Sequence, residues 1–316
     1  MGKKGKKAQA GKPKKLTPKD IGKRLDVLVK KLGEERKGAD LFAPLPPTED
    51  CAICLVPLSR VPSNSIYWAC CGKLICVGCD GRMEEKIKKG KKLFTCCPHC
   101  REPRSNDYYR QVEARALKND RVAWKSLGSY FAEGINGFPR DDLKALDCFI
   151  RAAELGSPDA CTHMAIFYSK GRGVSRDRER ELLFCTVGAL RGCIGARHKI
   201  GLSEYESGNY EIGIRHWKIA AEAGMQPSID ILKKIYNSGN QNVKEKILEW
   251  KSQPSRSIDD LQKLYNTSES FLTMPGKKFI SKEYLEKVYR VCHDAQMEVK
   301  SEEREKHSGF KECEDM

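Results

Sequence analysis

Three Cys-x-x-Cys pairs lie within a fifty-residue stretch of the chain: Cys51/Cys54, Cys76/Cys79 and Cys97/Cys100. Such a pair forms a tight turn that presents two thiolates to one tetrahedral Zn²⁺ ion, at about 2.3 Å. One pair alone is weak evidence, because thiol redox motifs have the same spacing. Three pairs so close together predict a module built around structural zinc.

Two tetrahedral zinc sites need eight ligands, and the three pairs supply only six. Cys70 and Cys71 are the first candidates for the missing two, and Cys96 and His99 remain alternatives for the less certain place. The N-terminus lacks the apolar segment of a secretory signal, so we expect a reducing, intracellular location, cytoplasmic or nuclear. In such a compartment metal thiolates are favoured over disulfides.

The order of these residues resembles the RING-finger family, in which a long loop, a third cysteine and usually a histidine separate the first pair from the last two. Cys71 stands at the position of the third ligand, five residues before Cys76. Lys73 occupies the usual histidine position, where a protonated amine cannot bind zinc. Cys70 resembles the extra cysteine of all-cysteine RING variants, although those variants space the two cysteines further apart.

The resemblance implies a cross-brace, in which ligand pairs alternate between two structural zinc ions. It places Cys51, Cys54, Cys76 and Cys79 on the first zinc, and Cys70, Cys71, Cys97 and Cys100 on the second. So short a segment buries too little surface to fold alone, and zinc–thiolate bonding supplies the missing stability.

The resemblance also implies a contact surface for a ubiquitin-conjugating enzyme. Ile53 and Pro98 lie inside the first and last pairs, where RING ligases contact that enzyme, and Arg101 follows Cys100 at the family's basic linchpin position. No catalytic residue is implied, because RING ligases act by proximity and orientation. A purely structural interpretation of each residue remains open: Ile53 as a core residue, Pro98 as a turn former and Arg101 as a solvated charge.

A repeat begins after the cysteine-rich stretch. Phe131, Tyr168 and Tyr205 stand 37 residues apart, and each is followed three residues later by a glycine. An Ala-Ala-Glu-x-Gly segment at 152–156 recurs closely at 220–224. A period of this length with two apolar helical segments per unit predicts a solenoid of helix pairs.

These motifs resemble Sel1-like repeats, which are relatives of the tetratricopeptide repeat. The fold class is therefore expected to be mainly α, with a small two-zinc cross-brace module followed by an α-helical Sel1-like repeat solenoid. The aromatic and small residues of the motif are expected to pack helices together rather than to bind a ligand.

Composition shifts along the chain predict its domain boundaries. The net charge is +15, and seven lysines without an acid lie in residues 1–15. No apolar stretch approaches the roughly 18–20 residues that span a bilayer, so no membrane partner is expected. The predicted units are a disordered basic tail (1–20), a short helix and Pro-rich linker (21–47), the zinc module (48–106), the repeats (107–250), a connector (251–281), and a charged helix and tail (282–316).

Three functions are compatible with these features. The first is a RING-type ubiquitin ligase whose repeats recruit a protein substrate or scaffold. The second is a non-catalytic adaptor, in which the zinc module and the repeats only make protein contacts. The third, favoured least, is a nucleic-acid binder driven by the lysine tail, because no base-reading motif accompanies the charge.

Overall fold

The computed structural model describes residues 17–88, 96–103, 107–237, 280–288 and 290. Most of the predicted basic tail and connector, the end of the predicted repeats and the C-terminal tail lie outside these residues. The described part is mainly α-helical, as predicted, and it divides into a cysteine-rich module and an array of paired helices.

The first helix, α1 (Pro18–Arg36), begins within the stretch predicted as tail. Thr17 caps it, because its side chain accepts a hydrogen bond from the backbone of Asp20 and the Asp20 side chain accepts one in return. This reciprocal cap satisfies backbone donors that the first helical turn leaves free. Apolar residues at intervals of four, three and four form one buried face: Ile21, Leu25, Leu28 and Leu32.

The cysteine-rich module (described residues 48–88 and 96–103) contains a β-hairpin and one helix. Strand β1 (Ser65–Trp68) pairs antiparallel with β2 (Lys73–Cys76), with Ser65 opposite Cys76 and Trp68 opposite Lys73. Helix α2 (Val77–Lys88) follows directly, so the chain passes from strand to helix between Cys76 and Cys79. The buried apolar side chains of the module form a small core: Leu58, Trp68, Ile75 and Met83.

The helical array starts after α3 (Tyr108–Ala116) and consists of three helix pairs. The pairs are α4 (Arg121–Glu133) with α5 (Asp142–Glu154), α6 (Pro158–Lys170) with α7 (Arg178–Leu190), and α8 (Ile194–Glu206) with α9 (Tyr210–Glu222). Residues 226–237 are also helical. The two glycines that end α4 and α6 have left-handed φ angles of 69°, a conformation that other residues rarely adopt.

Aromatic and small side chains fill the space between the pairs. Phe149, Phe167 and Phe184 are buried in one core with many alanines, and Trp217 is buried in a second core at the C-terminal end. The aromatic residues of the repeat motif join these cores: Tyr168 is buried in the first, Phe131 packs against the first, and Tyr205 packs against the second. Four cysteines of the array are buried as well: Cys148, Cys161, Cys185 and Cys193.

Helix α1 packs against the array, on α5 and α7, although the chain inserts the whole cysteine-rich module between them. Its leucine face joins the same core as Phe149. Ion pairs flank this core: Arg24 with Asp147, Asp26 with Arg180 at 3.0 Å and Glu35 with Arg191 at 2.7 Å. One side of the array is therefore covered by the chain's own N-terminal helix.

Residues 280–288 pack at the C-terminal end of the array, beside α9 and the helical residues 226–237. Ile280, Leu285 and Val288 are buried against Trp217 and the helical residues 226–237. The hydroxyl of Tyr284 donates a hydrogen bond to the carbonyl of Lys218, at 3.0 Å. None of the helices in the described residues is both long enough and apolar enough to cross a bilayer.

Candidate metal centre

The sulfur atoms of the Cys51/Cys54 pair and of the Cys76/Cys79 pair converge on one point. The sulfurs of Cys51, Cys54, Cys76 and Cys79 all lie within 4.8 Å of one another, and all four residues are buried. The sulfurs of Cys54 and Cys76 are 3.9 Å apart. The first pair comes from a loop, whereas Cys76 ends β2 and Cys79 lies in the first turn of α2.

A second group forms from the hairpin loop and the last pair. The sulfurs of Cys70, Cys71, Cys97 and Cys100 also lie within 4.8 Å of one another. The distance is 3.5 Å from Cys70 to Cys100 and 3.7 Å from Cys71 to Cys97. The two groups alternate along the chain, with the same membership as the cross-brace that the RING resemblance implies.

The two loop pairs share one backbone geometry. Leu55 and Arg101, each directly after the second cysteine of its pair, have left-handed φ angles of 57° and 64°. In both, the backbone N–H of this residue donates to the carbonyl of the first cysteine, at 3.0 Å. Non-glycine residues adopt this conformation only where the surrounding structure requires it. The turn aims both sulfurs of a pair at one point.

The sulfur spacing fits a tetrahedral metal ion. Four thiolates at about 2.3 Å from a central Zn²⁺ stand about 3.8 Å apart, close to the spacing observed in both groups. A disulfide would bring two sulfurs to about 2.05 Å, and the module's cysteines are all free. Each four-cysteine group can hold a metal ion such as zinc.

The electrostatics of the groups favour a cation. Burial raises the pKa of Cys54 and Cys70, and it raises the pKa of Cys71 to about 11. Hydrogen bonds from Cys76 and Cys79 lower the pKa of Cys51. A thiolate is thus favoured at Cys51, whereas burial disfavours the thiolates of Cys54, Cys70 and Cys71. A bound divalent cation would supply the charge that allows all four thiols of a group to ionise.

Neighbouring N–H groups contribute to the first site. The backbone N–H of Cys76 donates to the sulfur of Cys51, and the guanidinium of Arg82 donates to the sulfur of Cys79, each at 3.3 Å. Such donors stabilise thiolate charge and orient the ligand. Arg82 was not among the site residues predicted from the sequence, although its position three residues after Cys79, on the same face of a helix, is a usable signal.

The alternative ligands lie outside both groups. Cys96 and His99 do not belong to either group; Cys96 is half-buried and His99 is exposed. Lys73 is exposed at the start of β2. The proposed enzyme-contact residues are Ile53 and Pro98, both half-buried, and Arg101, which is exposed.

An arginine on α3 joins the second group to the helical array. The guanidinium of Arg115 donates to the carbonyl of Cys71 at 2.5 Å and pairs with the carboxylate of Asp120 at 3.1 Å. Asp120 caps α4, because its side chain accepts hydrogen bonds from the N–H groups of Val122 and Ala123. The hydrogen-bonded path thus runs from the second cysteine group to the first helix pair.

Comparison with known proteins identifies the array but not the cysteine-rich module. Residues 126–157, 158–180 and 195–225 match the Sel1 repeat family. No RING family matches the chain, and no curated protein matches its sequence.

Solved structures of Sel1 repeats resemble part of the chain. A Sel1 repeat protein from Oxalobacter formigenes is 25% identical over 52% of this chain and 64% of its own, with a TM-score of 0.40. A protective antigen of uropathogenic Escherichia coli strains, displaying an SLR fold, is 19% identical over 72% of this chain and 60% of its own, with a TM-score of 0.38.

A Pseudomonas aeruginosa protein is 13% identical over 83% of this chain and 88% of its own, with a TM-score of 0.32. The chain spans less than two thirds of the length of the Oxalobacter and Escherichia proteins. The helical region that contains the three matched stretches is a Sel1-like repeat array, and it follows a small cysteine-rich module with two four-cysteine groups.

Proposed function

We propose that this chain is a RING-type ubiquitin ligase, in which two structural zinc ions shape the cysteine-rich module and the Sel1-like array recruits a substrate or scaffold protein. One observation carries the proposal. Eight cysteines from four separate positions converge as two interleaved groups with tetrahedral sulfur spacing. Interleaving ties distant parts of a short segment together, which gives the module one defined surface.

The zinc ions have a structural role in this proposal. The first is held by Cys51, Cys54, Cys76 and Cys79, and the second by Cys70, Cys71, Cys97 and Cys100. All four positions around each ion are filled by thiolates, so neither site keeps an open position for water or substrate. Zinc chemistry at either site is therefore excluded as the source of activity.

The proposed contact surface for a ubiquitin-conjugating enzyme lies on the loop pairs. Ile53 is half-buried inside the first pair, and Leu55, two residues on, leaves 73% of its surface exposed. An apolar side chain this exposed on a rigid turn is suited to a protein contact. Arg101 occupies the equivalent left-handed position of the last pair and is exposed. It would add a charged contact to the same partner.

Helix α1 limits where the array can receive a substrate. It covers the surface formed by α5 and α7, so we assign recruitment to the first helix of each pair. On that side Leu202 of α8 keeps 36% of its surface exposed. The proposed ligase works in a reducing compartment, the cytoplasm or nucleus, where thiolates persist.

An autoubiquitination assay tests the proposal. The zinc-loaded full chain is incubated with a panel of conjugating enzymes, and Ile53→Ala is expected to lower the rate about tenfold or more. Val27→Ala is the matched control, because Val27 is a 70% exposed apolar residue on α1. The control should retain full activity and both variants should retain full zinc content.

The alternative is a non-catalytic adaptor, which the Sel1 match alone supports equally well. Sel1-like repeats present protein-binding surfaces without any catalytic partner. Zinc-loaded protein that forms no ubiquitin chains with any enzyme of the panel would favour the adaptor and overturn the ligase proposal.

A further inference from the structure

The two cysteine groups differ sharply in access to solvent. The first group is closed: Cys51 and Cys79 are 0% exposed, Cys54 is 2% exposed and Cys76 is 5% exposed. In the second group only Cys97 is buried. Cys70 and Cys71 are half-buried, and Cys100 is exposed.

A cleft leads to the second group. Its volume is about 290 Å³, and it lies between the module and α3. Six of its lining residues are Cys70, Cys100, Glu102, Gln111, Arg115 and Lys118. A neighbouring hollow of about 210 Å³ also reaches Cys70. No cysteine of the first group lines either space, so these two spaces lead a small molecule to the second group.

We propose that the second four-cysteine group is an exchangeable metal site, which small anionic metal-binding ligands reach through this cleft, whereas the first group retains its metal. The inference rests on the proposed zinc content of the module. In metal exchange, an incoming ligand must bind the ion before all four thiolates have dissociated from it. Access to the sulfur atoms therefore sets the rate of exchange. The first group denies that access without unfolding of the module.

The walls of the cleft select the kind of ligand. Arg115 and Lys118 place two cationic side chains on the α3 side, and Glu102 places one carboxylate opposite. Arg115 is already paired with Asp120, so Lys118 is the cationic side chain of the cleft that a carboxylate group of a chelating ligand, such as a polycarboxylate, can contact. A cleft of about 290 Å³ holds a small ligand but not a folded protein, since drug-sized pockets begin at about 300 Å³.

Metal exchange through the cleft is a ligand substitution without oxidation or reduction. The chelator donates its electron pairs to Zn²⁺, each Zn–S bond breaks with its electron pair left on sulfur, and solvent protonates the released thiolates. Once released, a thiolate adds to a maleimide, where a C–S bond forms and the adjacent carbon takes a proton. Maleimide labelling therefore records which group has lost its metal.

The test is a chelator competition on the zinc-loaded full chain. A carboxylate chelator that reports zinc is added with N-ethylmaleimide, and peptide mass spectrometry locates the labels. We expect release of one zinc at least tenfold faster than the other, with early labels on Cys70, Cys71, Cys97 and Cys100. Release of both ions at one rate, or early labels on the first group, would overturn the inference.

Two tryptophan variants test the route. Gln111→Trp fills the cleft and should slow release of the first-leaving zinc several-fold. Glu113→Trp is the control, because Glu113 is exposed on the same helix and does not line the cleft. Equal rates in the two variants would rule out the cleft as the route. A chain that carries no zinc at all would instead refute the proposed function.

Discussion

The cysteine-rich module and the Sel1-like array keep their shapes by different physical means. The array buries a continuous set of aromatic and small side chains, and helix α1 adds four more apolar residues to it. Among the described residues of the module, the buried apolar core consists of four large side chains beside the cysteines. Hydrophobic burial stabilises the array, whereas the module depends on metal–thiolate bonds.

The two regions should therefore tolerate different substitutions. In the array many buried residues contribute to stability, so the loss of one side chain lowers the free energy of unfolding by a few kcal/mol. In the module each thiolate supplies a quarter of a site, and three remaining ligands cannot close a four-coordinate structural centre. Loss of one ligand should therefore unfold the whole module, whereas loss of one core side chain should only lower the stability of the array.

The largest expected effect comes from Cys79→Ser. Structural zinc contributes roughly 10–16 kcal/mol in small zinc domains, so loss of the first site should unfold the module. We expect reduced zinc by elemental analysis and rapid proteolysis within residues 48–103, with helical circular dichroism largely retained from the array.

Cys148→Ser is the matched control, because Cys148 is a buried cysteine of the array. It should leave the zinc content unchanged and lower array stability by about 1 kcal/mol. If Cys79→Ser left an ordered module, the dependence on metal would be wrong.

The second largest effect is expected in the core of the array. Phe149 is fully buried and stacks on His163 at 4.7 Å, with Phe167 at 5.6 Å. Phe149→Ala should lower the free energy of array unfolding by about 3–5 kcal/mol, measured by urea titration of the helical signal. The zinc content should not change. Simultaneous loss of zinc would mean that the two regions unfold as one unit.

A smaller effect is expected at the link between the regions. Arg115→Ala removes the hydrogen bond to the Cys71 carbonyl and the ion pair with Asp120. Loss of these partly buried contacts should cost about 1–3 kcal/mol and should lower zinc affinity at the second site only. Competition with a zinc-binding dye checks this.

Arg110→Ala is the control for the link, because Arg110 lies on the same helix, with 84% of its side chain exposed, and pairs only locally with Asp107. Its expected effect is close to zero. Equal zinc affinity in the two variants would show that the second site does not depend on the array.

The sequence predicted the features that depend on short spacings. The Cys-x-x-Cys pairs predicted the turns of the module, and the glycine and aromatic period predicted the helix pairs, whereas the assignment of eight cysteines to two sites was implied by the RING resemblance and joins residues far apart in the chain. Both signals lie within one repeat or one loop. Their physical cause is local, since a Cys-x-x-Cys turn and a left-handed glycine need only a few neighbouring residues.

Features that depend on distant contacts were not predicted. The apolar spacing of α1 is visible in the sequence, but the surface that it meets includes Asp147, 123 positions beyond Arg24. The contact of Arg115 with the hairpin loop has no spacing rule either, because it joins a side chain to a backbone carbonyl 44 positions away. The cleft at the second site follows from the same packing.

The smallest predicted effect separates the two regions by their response to acid. Burial, with Arg197 and Arg215 nearby, lowers the pKa of His216 to about 4. In the unfolded chain the pKa returns to about 6.5, so the unfolded state binds more protons between these values. Array stability is therefore constant above pH 6.5 and falls as the pH drops from 6.5 towards 4.

His216→Phe removes this proton uptake. His163, whose pKa burial lowers to about 4, and His198, whose pKa burial also lowers, both remain, so the slope of stability against pH should become smaller without vanishing. Urea titrations of the helical signal at pH 7.5, 6.0 and 5.0 measure it, at roughly 1–2 kcal/mol. Zinc loss on acidification should be the same in both proteins, because protons compete for the thiolates of the module. An unchanged slope would mean that His216 takes up its proton in the folded array.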